Sequence, residues 1–270
     1  MIKLNGYVIN QNHFLDNSLR IEYPVGATDC FYSKSKVIID WLYDNDSELF
    51  TLICLTKKIR DWNKNAEITL KMPYIPHARM DREKTVEDTF TLSYFADIIN
   101  NLEFDEVSVL DPHSNVATAL IKRNSVKPTC ATLCFNKLNM NNTVFLYPDE
   151  GASKRYSEIY THPYAIGMKR RDWKTGNITS YDIIENAALV EGSDILIIDD
   201  ICCKGGTFYY AAKKLKELGA KDIYLYVSHC ENSILQGDLI NCNDVKKIFT
   251  TDTICTIEHP KIEFVQSFRN

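Results

Sequence analysis

Four short segments bring together residue types whose spacing could handle a phosphorylated ligand. The most informative runs Ile197-Ile198-Asp199-Asp200-Ile201-Cys202-Cys203-Lys204-Gly205-Gly206-Thr207. It passes from an apolar run through two carboxylates into a diglycine that should open a helix. Glycine tolerates positive φ and lets the backbone approach an anion closely, and the free N–H groups of a helix start then bind phosphate. Two carboxylates beside such a turn suit ribose hydroxyls, or a Mg²⁺ shared with phosphate oxygens. The plainer alternative is an ordinary strand-to-helix turn with an acidic cap. A Walker-B reading of Ile197 to Asp200 fails, because the chain contains no G-x-x-x-x-G-K-[S/T] stretch.

The other three segments are weaker alone. Leu110-Asp111-Pro112-His113-Ser114 sets an aspartate and a histidine after an apolar run, as a ligand or acid/base group or else a helix cap. Tyr147-Pro148-Asp149-Glu150-Gly151-Ala152-Ser153-Lys154-Arg155 presents carboxylates and then a helix start, which could also be a solvated cap. Residues 73–82 gather Tyr74, His77, Arg79, Asp81 and Arg82 ahead of a helical stretch. That mix can stack a base and grip polyphosphate, although solvated loop charge is its default.

Such segments need strand ends to hold them. From about Thr51 onward, apolar runs of strand length alternate with helical periodicity, the pattern of successive βαβ units in a largely parallel sheet. Residues 51–56 and 67–72 read as strands, and 85–102 as a helix opened by Thr85-x-x-Asp88 with Phe95, Ile98 and Leu102 on one face. Residues 106–111 read as the next strand, 115–123 as a short helix, and 125–140 as a weakly patterned connection with a domain boundary near Asn139. Then follow strand 143–147, helix 152–160, strand 164–168 and a charged surface loop over 169–177, expected to be mobile. Residues 194–199 form the clearest strand, Phe208 to Leu218 an apolar helix face ending at Gly219, and 222–227 a further strand. The fold class is therefore α/β. Ligands of open parallel sheets bind beyond the carboxyl ends of the strands, where these segments lie.

Composition narrows the function classes. At 270 residues and 45% hydrophobic content, the chain can bury cores of ordinary size in two domains. A formal charge of −5 supplies no net positive field for nucleic acid or an anionic membrane, and neither is expected as a partner. No stretch approaches the roughly 18 apolar residues that span a bilayer, and the start lacks a signal-like apolar region, so a cytoplasmic location is expected. The nine cysteines, scattered among apolar residues, read as small buried hydrophobes in a reducing compartment. Cys130 and Cys134 have loose metal-ligand spacing, but no second pair follows at zinc-finger distance.

Taken in order, these segments resemble those of the ribose-phosphate pyrophosphokinase family over residues 73–253. Pro73-Tyr74 with Ala78-Arg79-x-Asp81-Arg82 resembles the family's ATP-binding stretch, and Leu110-Asp111-x-His113-Ser114 its metal and ATP histidine motif. Pro148-Asp149-x-Gly151 resembles its metal-binding loop, Lys169-Arg170-Arg171 its catalytic loop, and Asp199-Asp200-Ile201 to Gly206-Thr207 its ribose-phosphate loop. Ser228-His229 resembles a later threonine-histidine pair.

The resemblance implies two similar phosphoribosyltransferase-type domains, each a mostly parallel sheet flanked by helices. An ATP-binding half would span 1–139, joined by the tail 251–270, and a ribose-phosphate half 140–250. It implies a Mg²⁺-dependent transfer of the β,γ-diphosphoryl group of ATP to the anomeric hydroxyl of ribose 5-phosphate, releasing AMP, by a homo-oligomer. Lys169, Arg171 and His113 would be catalytic, Arg79, Asp81, Arg82 and His113 would bind ATP, and His113 and Asp149 would hold the metal. Asp199, Asp200, Cys203, Lys204, Gly205, Gly206 and Thr207 would hold the ribose phosphate.

The chain departs from the family pattern in places. The ribose-phosphate loop of the family reads Asp-Asp-x-x-Asp-Thr-x-Gly-Thr, and here the third Asp and the following Thr are Cys203 and Lys204. The exchange shifts local charge by about two units and suits a more anionic acceptor, such as the diphosphate of ADP-ribose; the alternative is that Lys204 points to solvent. The adenine-contacting loop of the family corresponds to Tyr23-Pro24-Val25-Gly26-Ala27 without its Glu, and Met80 replaces a Gln, so a dimer is expected rather than the family hexamer. Two other readings compete: a phosphoribosyltransferase using phosphoribosyl pyrophosphate, and a non-catalytic homologue. Arg79 to Arg82 and His113 have no part in the first, and the presence of Lys169, Arg171 and His113 speaks against the second.

Overall fold

The computed structural model describes residues 1–32, 36–172 and 178–269, with the side chains of Cys30 and Arg171 outside that description. Contacts divide the chain into unit 1, Met1–Pro128, and unit 2, Thr129–Asn270. The division falls ahead of the boundary expected near Asn139.

Unit 1 comprises strands β1 (Ile2–Leu4), β2 (Tyr7–Val8), β3 (Asn10–His13), β4 (Leu19–Glu22) and β5 (Lys36–Trp41), helix α1 (Glu48–Trp62), strand β6 (Glu67–Lys71), helix α2 (Thr91–Asn101), strand β7 (Glu106–Leu110), helix α3 (Asn115–Leu120) and strand β8 (Asn124–Lys127). Its main sheet has the order β2-β1-β5-β6-β7-β8, and β3 and β4 form a separate hairpin. Strands β5 to β8 are parallel neighbours, while β1 runs antiparallel to both β2 and β5. The chain's strand pattern thus begins before Thr51, not at it.

The segment 51–56, expected as a strand, lies inside α1. A short continuous apolar run cannot be assigned by period alone. What decides is the longer spacing: Leu52, Leu55 and Ile59 recur at helical intervals and are fully buried against the sheet. The helix expected over 85–102 starts only at Thr91. Asp88 instead accepts the N–H groups of Lys84 and Thr85, a turn that the Thr85-x-x-Asp88 pattern had disguised as a cap.

Unit 2 comprises helix α4 (Thr132–Phe135), strand β9 (Thr143–Tyr147), helix α5 (Glu150–Tyr156), strands β10 (Tyr164–Arg171), β11 (Ile178–Glu185) and β12 (Asp194–Cys202), helix α6 (Gly206–Glu217), and strands β13 (Ile223–Cys230), β14 (Val245–Thr251) and β15 (Ile262–Gln266). The sheet order is β11-β10-β9-β12-β13-β14-β15, parallel throughout except for the edge strand β11. The tail therefore completes this sheet through β15 and does not join unit 1. Asp252 secures it by accepting from Ser267 Oγ and the N–H groups of Phe268 and Arg269.

Both faces of this sheet are covered, which is why its central strands read as unbroken apolar runs. In β12, Ile195 and Ile197 join the layer under α6, whereas Leu196 and Ile198 join the opposite layer with Ala152 and Tyr156 of α5. Among the described residues no helix is long and apolar enough to cross a membrane. Cys134, Cys202, Cys230, Cys242 and Cys255 are buried.

One close approach ties β11 to β10. Tyr181 lies over Gly167, where an added Cβ would come within 1.9 Å of the phenol oxygen. Gly167→Ala should therefore lower stability by about 1–3 kcal/mol, as overpacking does. A urea midpoint equal to that of the unaltered chain would show that Tyr181 is not seated there.

Candidate active site

In unit 1, the loop after β6 and the turn after β7 meet through one serine. Ser114 caps α3 by accepting the N–H of Val116 at 3.1 Å, and its hydroxyl donates to Asp81 Oδ2 at 2.7 Å. Arg82 Nε donates to the other Asp81 oxygen at 3.0 Å. Burial raises the Asp81 carboxyl, but the bonds from Ser114 and Arg82 and the neighbouring His113 outweigh it and hold it below the usual range. Asp111, buried at the end of β7, takes a φ of +39°, a strained value for a residue with a side chain. It turns the chain so that His113 stands half-buried beside this group, with Arg79 exposed on the same loop. The expected nucleotide residues Asp81, Arg82 and His113 are thus brought together.

In unit 2, the expected residues gather at the carboxyl ends of β9 and β12. Asp149 caps α5, its Oδ1 accepting the N–H of Ala152 at 3.0 Å. Its Oδ2 accepts from Lys169 Nζ at 2.8 Å. Burial pushes this carboxyl up, yet the Lys169 ammonium and the N–H groups of Ala152 and Gly151 prevail and keep it ionised below the ordinary value. Lys169 does not sit in a loop: β10 continues to Arg171, and the bulged pairing with β11 extends it. Of the expected mobile loop, residues 173–177 lie outside the described residues, as does the Arg171 side chain expected to be catalytic. An open hollow of about 440 Å³ is lined by Asp149, Glu150, Gly151, Gly167, Met168 and Lys169.

Strand β12 runs on through the diacid to Cys202, so Asp199 and Asp200 project from opposite faces of the sheet. Asp200 is buried and lies 2.8 Å from the Arg155 guanidinium of α5. Asp199 is partly exposed on the other face. Burial, the charge and hydrogen bond of Asp200, and the charge of Asp149 push its carboxyl well above the ordinary range. Tyr181 Oη donates to the Pro148 carbonyl at 3.2 Å. Burial and then the charges of Asp149 and Asp199 raise this phenol.

After Cys202 comes the turn. Gly205 takes a φ of +78° and caps α6, leaving the first N–H groups of a 12-residue helix directed at the loop. Lys204 is exposed and Thr207 partly so. Cys203 Sγ donates to Glu231 Oε1 at 3.1 Å.

Arg155, Tyr181 and Glu231 were given no role by sequence reasoning. Arg155 had a signal, its position nearly two helical turns beyond Asp149. Nothing in the sequence marks Tyr181 or Glu231, which reach the site by strand pairing.

The donor set suits a hard cation. Asp149 and Asp199 are oxygen donors crowded by mutual repulsion, partly offset by Lys169. No trio of His, Cys, Asp and Glu converges into a cage among the described residues. Mg²⁺ is commonly held by one or two carboxylates plus substrate phosphates, which fits that arrangement.

The phosphoribosyl transferase domain model matches residues 153–260. The ribose-phosphate pyrophosphokinase of Bacillus subtilis is 26% identical over 255 residues, covering 91% of this chain and 76% of its own. That of Sulfurisphaera tokodaii is 28% identical over 252 residues, covering 89% of this chain and 82% of its own. A crystal structure of phosphoribosylpyrophosphate synthetase from Mycobacterium smegmatis superimposes with a TM-score of 0.75 at 18% identity, covering 96% of this chain and 86% of that one, which is a likeness of fold. With matches that run nearly the whole length of both units and motifs that fall at their strand ends, the chain is similar throughout to the enzymes named ribose-phosphate pyrophosphokinase.

Proposed function

We propose that the protein transfers the β,γ-diphosphoryl group of ATP to the anomeric hydroxyl of ribose 5-phosphate or of a ribose-5-phosphoryl compound such as ADP-ribose. The anomeric oxygen forms a bond to the β-phosphorus, and the bond from that phosphorus to the α,β-bridging oxygen breaks. AMP departs with the electron pair, and the hydroxyl proton is lost. The observation that carries this reading is the carboxylate pair Asp149 and Asp199 standing with Lys169 beside a positive-φ glycine turn at a helix start.

In unit 1, Arg79, Asp81, Arg82 and His113 are assigned to ATP, with Ser114 orienting Asp81. His113 also serves as a metal donor. In unit 2, Asp149 is assigned to the metal, and Lys169 and Arg171 to the charge that grows on the diphosphoryl oxygens. Mg²⁺, when bound, would neutralise phosphate charge and act as a Lewis acid. Lys169 is paired with Asp149 and would be free to reach phosphate if Mg²⁺ held that carboxylate. Asp199 accepts from ribose hydroxyls, and Asp200, paired with Arg155, fixes the strand end. Cys203, Gly205, Gly206 and Thr207 cradle the 5-phosphate through main-chain N–H groups. The exposed Lys204 adds a cation that favours a second phosphate, as in ADP-ribose. A homo-oligomer, a dimer or larger, belongs to this reading.

Protein, Mg²⁺ and ATP should release AMP with ribose 5-phosphate or ADP-ribose, each tested separately, and mass detection should find the diphosphorylated acceptor. ADP in place of AMP, or no product with either acceptor, would refute the reaction. His113→Ala and Lys169→Ala should each lower turnover at least about a hundredfold; near-normal rates in both would remove the roles assigned to them. Light scattering should give the mass of a dimer or larger, and a monomer at working concentration would remove the oligomer.

A further inference from the structure

We infer that Glu231 is a specificity-determining residue of the ribose-phosphate loop, supplying a sugar-directed carboxylate from the neighbouring strand end. The inference rests on the function proposed above. Strands β12 and β13 pair in parallel through Cys202 and Cys230, so the chain at 203 and the chain at 231 leave the sheet side by side. Hydrogen bonds from its main chain and its carboxylate join Glu231 to its surroundings. Its N–H donates to the Cys202 carbonyl at 2.8 Å. Its Oε1 accepts from Cys203 Sγ at 3.1 Å, and its Oε2 from Ser233 Oγ at 2.9 Å.

The segment after Glu231 lies directly on the turn. A Cβ on Gly237 would stand 1.8 Å from the Lys204 carbonyl oxygen, and one on Gly205 would stand 2.5 Å from Leu239 Cδ2. The segment that carries Glu231 is thus seated on the turn, and the bonds from Cys203 and Ser233 hold its carboxylate there.

Charge gives the contact its meaning. At 203 the loop holds a thiol where the motif it resembles has a carboxylate, and Lys204 adds a cation next to it. Glu231 returns one negative charge to that side of the loop. A carboxylate accepts from hydroxyls and repels phosphate, so a negative group beside a phosphate cradle selects which side of the ligand faces it. The ligand class is a phosphorylated ribose, its hydroxyls toward Glu231 and its phosphate toward the α6 N-terminus.

Glu231→Gln tests this, because Gln removes the charge and keeps one acceptor oxygen for Cys203, while its amide N–H can donate to the Ser233 hydroxyl in place of accepting from it. The KM for ribose 5-phosphate, or for ADP-ribose if that is the acceptor turned over, should rise at least about tenfold, while the KM for ATP changes by less than about twofold. Adding Cys203→Asp to Glu231→Gln restores a carboxylate but not the thiol contact, and should bring the acceptor KM back to within about threefold. An unchanged acceptor KM in Glu231→Gln, or no recovery in the double variant, overturns the role. Calorimetric titration of the unaltered protein separates the two levels. Binding of neither acceptor overturns this inference together with the proposed function, whereas normal binding and turnover with an indifferent Glu231→Gln overturn this inference alone.

Discussion

The site in unit 2 depends on one electrostatic constraint: more carboxylates converge on the ends of β9 and β12 than the cations around them balance. Asp149 is held ionised by Lys169, Asp200 is buried against Arg155, and Asp199 is left with a carboxyl raised by burial and then by its charged neighbours. Burying charge is costly unless it is paired. The fold meets that cost with a lysine from β10 and an arginine from α5. The carboxylate left without a cation of the chain is one that a bound metal ion would pair.

Strand geometry sets which carboxylate does what. Alternation along β12 sends Asp199 and Asp200 to opposite faces, one toward the α6 layer and one toward α5. A sequence that reads as a matched pair is thus divided into an ion-paired anchor and a partly open acceptor. In unit 1 a comparable economy of parts appears in Ser114, which caps a helix and fixes Asp81 with the same hydroxyl.

Much of this was legible in the sequence. The parallel sheet followed from apolar runs of strand length alternating with helical periodicity, and the diglycine turn from Gly205 and Gly206. The motif residues Asp81, Arg82 and His113 do come together. The misses share a cause: a short apolar run such as 51–56 carries no period of its own, so only the fully buried spacing Leu52, Leu55, Ile59 marks it as helix. Lys169 was placed on a loop because its segment is charged, yet antiparallel pairing with β11 carries it on a strand. The roles of Tyr181 and Glu231 depend on which strands lie side by side, which spacing along the chain does not encode. The tail was misplaced for the same reason, since β15 adds to the sheet by pairing with β14.

The backbone packing around Gly205 and Gly237 has a thermodynamic consequence. With Leu239 against one glycine and the Lys204 carbonyl against the other, the phosphate turn is already ordered in the folded chain. Its conformational freedom is lost during folding, not on meeting a ligand. Under the proposed function a phosphorylated sugar would meet a rigid receptor, and its association would show little of the unfavourable ordering entropy that flexible anion-binding loops incur.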